Sequence, residues 1–146
     1  DISEAPDGSF WIGNRQGINH LNPKTGQFVN HQNNPSFPAD SCRSIAITPK
    51  GDVYAIFSYR ETFYKFESTE RGYRPLSGIA LKGGSRLTSV LDGDTDLWIV
   101  EKGFGLYRYN LEHERGQFYP SNQKNALTVK GDYIDNPFLD REGPDP

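Results

Sequence analysis

The sequence has no methionine, one cysteine, two tryptophans and no long hydrophobic run in its 146 residues. A single cysteine, Cys42, cannot close an internal disulfide, so its expected role is that of a small buried strand residue. No apolar stretch approaches the roughly 20 residues that span a bilayer, and the first residues do not read as a signal peptide. Direct insertion of this segment into a membrane is therefore not expected. Charge of one sign is missing too: 19 Asp and Glu against 16 Lys and Arg leave a net charge of −3. Without a basic stripe, attraction to a phosphate backbone is weak, and nucleic acid is not an expected partner. With no methionine even at position 1, the chain is expected to be processed or excised from something longer.

Aromatics and turn formers are abundant. Nine Phe, eight Tyr and two Trp make up 13% of the chain, and 15 Gly with 10 Pro punctuate it. Such rings suit half-buried pleated surfaces, and Gly and Pro supply frequent turns, so the composition predicts an all-β fold.

A repeat organises these residues. The segments Phe10-Trp11-Ile12-Gly13, Asp52-Val53-Tyr54-Ala55-Ile56 and Asp96-Leu97-Trp98-Ile99-Val100 align on Trp11, Tyr54 and Trp98, at intervals of 43 and 44 residues. A second strand follows each anchor: Gly17 to Leu21, Thr62 to Phe66 and Gly105 to Tyr109. Turns ending in glycine come next, at Asn22–Gly26, Glu67–Gly72 and Glu112–Gly116, and Phe28, Tyr73 and Phe118 open a further strand. One more short strand precedes each anchor, around Ile2, Ile45-Ala46-Ile47 and Val90-Leu91. Four strands every 44 residues or so, joined by hairpin-length turns, predict β-propeller blades made of four-stranded antiparallel sheets.

The expected division is blade 1 over 1–36, blade 2 over 37–82, blade 3 over 83–126, and strand A of a fourth blade over 127–146. The next anchor would fall at Pro146, and proline does not serve in a central strand. About three blades plus one strand are thus predicted, as a fragment of a larger ring. The second strand of each blade is apolar on both sides, as stacked blades require. Third-strand residues His20, Lys65 and Arg108 stand at matching positions, with their charged tips expected in water. Exposed end faces are costly, so the expected partners are the remaining blades of a parent chain or a second copy docking on the open faces.

The run Asp7-Gly8-Ser9-Phe10-Trp11-Ile12-Gly13-Asn14, with Gly17-Ile18-Asn19-His20-Leu21-Asn22-Pro23-Lys24-Thr25-Gly26-Gln27-Phe28, resembles the two-component regulator propeller repeat. Leu97-Trp98-Ile99, Gly105 to Asn110 and Gly116-Gln117-Phe118 carry the same resemblance in the third repeat. The middle repeat is degenerate, with Tyr54 in place of Trp and Ile56 where the first repeat has Gly13. The resemblance implies the periplasmic sensing propeller of a bacterial signalling protein, ahead of a transmembrane helix and a histidine kinase or diguanylate cyclase output. Its motif encodes blade structure, so it identifies the scaffold better than the ligand.

Catalytic chemistry is not visible. Asp92-Gly93-Asp94-Thr95-Asp96 starts like a calcium loop, but Leu97 and Gly103 stand where Gly and Glu are needed, so a solvated acidic turn is expected. His20, His31 and His113 occupy unrelated repeat positions, and no phosphate-binding loop appears. No cofactor and no metal are expected. The loops between second and third strands vary in length, with six, eight and seven residues from anchor to next strand. Variable loops on a fixed scaffold are where binding concentrates. Asn14, Arg15, Gln16, Tyr59, Arg60, Lys102 and Phe104 are accordingly the candidate ligand-binding residues, suited to a small polar ligand such as an oligosaccharide. A non-catalytic sensing segment is the leading expectation. The alternatives are a piece of a propeller lyase or hydrolase whose catalytic residues lie in other blades, and a passive protein-docking scaffold.

Overall fold

The computed structural model describes residues 1–31, 40–57, 63–68, 72–75, 79, 81, 87–92, 95–101 and 104–121. Among the described residues twelve strands form and there is no helix. Blade 1 holds β1 (Ile2–Glu4), β2 (Phe10–Asn14), β3 (Gly17–Asn22) and β4 (Gln27–Asn30). Blade 2 holds β5 (Cys42–Ile47), β6 (Val53–Phe57), β7 (Phe63–Ser68) and β8 (Gly72–Pro75). Blade 3 holds β9 (Leu87–Asp92), β10 (Asp96–Glu101), β11 (Gly105–Asn110) and β12 (Arg115–Pro120). Each is a four-stranded antiparallel meander paired in chain order, as propeller blades are. The strand expected over 132–139 and the turn after it lie outside the described residues.

Local chemistry sets the meanders. The turns from β1 to β2 and from β5 to β6 repeat one hydrogen-bond pattern. Ala5 and Thr48 N–H donate to the carbonyls of Ser9 and Asp52, and Gly8 and Gly51 N–H donate back to Ala5 and Thr48. Gly8 and Gly51 sit at φ +82° and +91°, a left-handed conformation that a Cβ disfavours. Gly105, at φ +148°, answers to a tighter constraint: a Cβ there would lie 2.2 Å from the Tyr119 carbonyl oxygen. The last strand of blade 3 can cross so close only because residue 105 lacks a side chain.

One turn differs from expectation. The third blade's last hairpin closes at Glu114, at φ +47°, and β12 already begins at Arg115. Gly116 is therefore a strand residue paired with Tyr109, not the end of the turn. Glu114 takes the place that Gly26 fills in blade 1, and its carboxylate is engaged by Arg74 of blade 2.

The blades pack face to face. Strand β5 lies against β1 and β2 on one side and β9 on the other, so the first strands of the three blades adjoin. Strand β6 shows why this arrangement forms. Val53, Ala55 and Phe57 enter one apolar cluster with Trp11, Ile18, Cys42 and Ile45. Tyr54 and Ile56 enter a second cluster with Phe63, Leu97, Ile99, Tyr107 and Tyr109. All five residues of β6 are buried. At about 1.5–3 kcal/mol for each large apolar side chain removed from water, these two seams supply most of the drive for stacking. Outside them, the far face of blade 1 leaves Ile2 and Phe28 exposed.

Candidate functional site

Trp11 and Tyr54 point toward the following blade, and each of the three anchors carries a partner from the neighbouring strand. The antiparallel register sets Trp11 opposite His20, Tyr54 opposite Lys65 and Trp98 opposite Arg108. His20 stacks on Trp11 with ring centroids 4.6 Å apart. Lys65 Nζ lies 5.7 Å from the Tyr54 ring, and Arg108 Cζ lies 5.6 Å from the Trp98 ring. These side chains do not simply extend into water as their charge suggested. The pleat brings each onto an aromatic face, and for Lys65 and Arg108 cation–π attraction contributes about 0.5–1 kcal/mol at partly exposed sites.

Carboxylates two residues before the anchor complete the arrangement in blades 2 and 3. Asp52 lies 2.9 Å from Lys65 Nζ, and Asp96 lies 2.9 Å from Arg108. The Asp52 hydrogen bond raises the Lys65 pKa. The Arg108 guanidinium, with help from Asn110, holds Asp96 below the usual carboxylate range. Asp96 is thus an ion-pair partner within its blade. Gly93 and Asp94, the middle of the acidic run, lie outside the described residues. No group of three or more His, Cys, Asp or Glu able to hold a metal occurs among the described residues.

The candidate ligand residues sit at the opposite strand ends. Asn14, Arg15 and Gln16 are all exposed on the β2–β3 turn, where the Asn14 side-chain oxygen accepts the Gln16 N–H at 2.8 Å. Phe104, 40% exposed, caps the β10–β11 turn, and its N–H donates to the Glu101 carbonyl. Tyr59, Arg60 and Lys102 lie outside the described residues. Glu101, the neighbour of Lys102, ends β10 and is 1% exposed. It continues the Leu97–Ile99 face into the seam, and its charge adds to burial in raising the Tyr107 pKa. Alternation along β10 is the signal that would have found it.

Two clefts lie elsewhere. One of about 390 Å³ runs between the first turns of blades 1 and 2, lined by Glu4, Ala5, Pro6, Ile47, Thr48 and Pro49. The other, about 270 Å³, lies on blade 3 between Asp96, Arg108, Asn110, Arg115 and Gln117. His31, unremarkable in the sequence, is buried and stacks on Trp11 with centroids 6.2 Å apart.

No protein-family profile and no curated protein matches the chain. Solved structures do match. The extracellular domain of a protein assigned as a hybrid two component system of B. thetaiotaomicron superposes over 97% of this chain, with a TM-score of 0.70 and 20% identity. An auxiliary nutrient binding protein of Bacteroides ovatus matches 80% of it, with a TM-score of 0.63 and 16% identity. Virginiamycin B lyase of Staphylococcus aureus matches 86% of it, with a TM-score of 0.62 and 17% identity. The chain spans 19%, 30% and 41% of those chains respectively, less than half of each. At such identities the likeness is one of fold: the chain carries a run of three propeller blades of the kind found in two-component-system extracellular domains.

Proposed function

We propose that these blades belong to a non-catalytic, ligand-sensing propeller in the periplasmic region of a bacterial signal-transduction protein. The observation that carries this reading is the match of nearly the whole chain to extracellular domains of two-component-system proteins, with exposed polar and aromatic residues on the variable turns. The ligand is a small polar molecule such as an oligosaccharide. Its site is built from Asn14, Arg15, Gln16, Tyr59, Arg60, Lys102 and Phe104. The remaining blades of a parent chain are the first partners, and a second copy on the open faces is the next. Signalling requires that the ligand favour one arrangement of blades over another, since equal affinity for both shifts nothing.

Isothermal titration of the full-length protein with a panel of oligosaccharides tests the proposal. Saturable binding that Arg15→Ala and Phe104→Ala each weaken by about tenfold, or about 1.4 kcal/mol, is the expected result. Binding indifferent to both substitutions, or no binding across the panel, counts against it. The likeness to virginiamycin B lyase keeps a second reading in view, a propeller enzyme with its catalytic groups in other blades. Chemical turnover of a bound ligand, seen by mass spectrometry, would favour that reading.

A further inference from the structure

Blade 1 departs from its neighbours at one chemically telling place. In blades 2 and 3 the anchor's partner is a permanent cation held by a carboxylate, Lys65 with Asp52 and Arg108 with Asp96. In blade 1 the partner is a titratable imidazole, His20, and Ser9 stands where the carboxylate would be. A second imidazole stacks on the same indole: His31 lies nearly parallel to Trp11, at an interplanar angle of 13°. From blade 2, Phe66 meets Trp11 at 4.8 Å and His31 at 6.4 Å. Two imidazoles and one indole therefore form the blade 1 side of this contact.

The surroundings of His31 favour its neutral ring. His31 is 4% exposed. Burial, and secondarily the charge on His20, depress its pKa below the ordinary imidazole value. Near His20 on blade 1 lie the Asp7 carboxylate and Lys24, whose Nζ donates to the Asp7 carbonyl. Asp1 accepts the Ile45 N–H at the seam. From blade 2 the titratable groups in the cluster are Cys42 and Tyr64. Lys65 lies on the other face of its sheet, against Tyr54.

We propose that the seam between blades 1 and 2 is a proton-responsive joint: protonating His31 loosens the contact of Trp11 with Phe66, and a cation at position 20 makes that loosening larger. The sign follows from linkage. A histidine whose folded pKa lies below its unfolded value, near 6.5, stabilises the fold above that value, and the contribution is lost as pH falls toward the folded pKa. A positive charge at position 20 opposes a second one at position 31, so it lowers the folded pKa further and deepens the total loss, while the onset stays at the unfolded value.

Cys42 reports on the joint, because it is the only cysteine and is buried in this seam, its thiol pushed up to about 12 by burial. The experiment measures thiol labelling of the full chain between about pH 8 and pH 5, the window in which imidazoles titrate. Dividing by the labelling rate of the urea-unfolded chain at each pH removes the thiolate dependence. Wild-type protection is expected to fall, by up to about tenfold for each pH unit below the onset, as one proton requires. His31→Gln should hold its protection flat, with His31→Phe as the replacement if far-UV circular dichroism shows the Gln variant unfolded. The loss should be deeper in His20→Lys than in His20→Gln, with the same onset in both. A flat wild-type profile, an undiminished fall in both His31 variants, or a loss as deep in His20→Gln as in His20→Lys would overturn the proposal.

Discussion

Blades 1 and 2 share one four-strand plan and differ in how they fill the seam ahead of them. Blade 1 carries the strong sequence motif, Trp11 followed two residues later by Gly13. A Cβ added at Gly13 would sit 2.8 Å from Cys42 Sγ and 3.3 Å from Ile45 Cδ1. Blade 2 carries Tyr54 and Ile56 at the same two positions, and both are buried against Phe63, Leu97 and Ile99. A large ring followed by a glycine two residues on in one blade is exchanged for a smaller ring followed by a large side chain in the next. The repeat that looks degenerate is the one whose second strand is buried along its entire length. Motif strength and packing quality are therefore different quantities, and volume compensation links them.

The sharpest test of that contrast sets a seam residue against its outward counterpart. Phe63→Ala, at a fully buried position of the second seam, is expected to cost about 3–5 kcal/mol in urea unfolding. Phe28→Ala, on the open face of blade 1 at 56% exposure, should fall within about 0.5 kcal/mol of wild type. Comparable losses at the two sites would show that the blades are not stacked as described.

A smaller effect probes the compensation itself. Gly13→Ala should destabilise by about 1–3 kcal/mol through overpacking against Cys42. Combining it with Cys42→Ala should recover part of that loss, giving a coupling of at least about 0.5 kcal/mol in a double-mutant cycle. Strictly additive effects would separate the two residues.

Smallest of all is the ion pair on the anchor of blade 2. Asp52→Asn removes a carboxylate that is itself 42% exposed, so about 0.2–1 kcal/mol is expected, shrinking in high salt. A larger, salt-insensitive loss would mean that the cation on Tyr54 stabilises the blade in some other way.

Much of the fold was legible in the sequence because it is written locally. The anchor spacing, the turn glycines Gly8 and Gly51 and the alternation of apolar residues each follow from neighbours in the chain. What escaped depends on partners far away. Glu114 closes a hairpin in a left-handed conformation that glycine would ordinarily take, and its carboxylate partner, Arg74, stands 40 residues earlier. Stacking of His20, Lys65 and Arg108 on the anchors requires the strand register, which residue type alone does not reveal. His31 follows the last strand of its blade with no periodic signal, and only folding brings it to Trp11. Of the candidate ligand residues, the exposed turn Asn14–Gln16 and Phe104 could be anticipated from loop length. The burial of Glu101 in the same neighbourhood was hidden by its charge.

Hydrogen exchange resolved to single strands tests the stacked arrangement most directly. Amides of Val53–Phe57, flanked by a blade on each side, should exchange most slowly, ahead of those of Phe10–Asn14 in blade 1. Equal protection in the two strands, or faster exchange in Val53–Phe57, would contradict a middle blade buried on both faces.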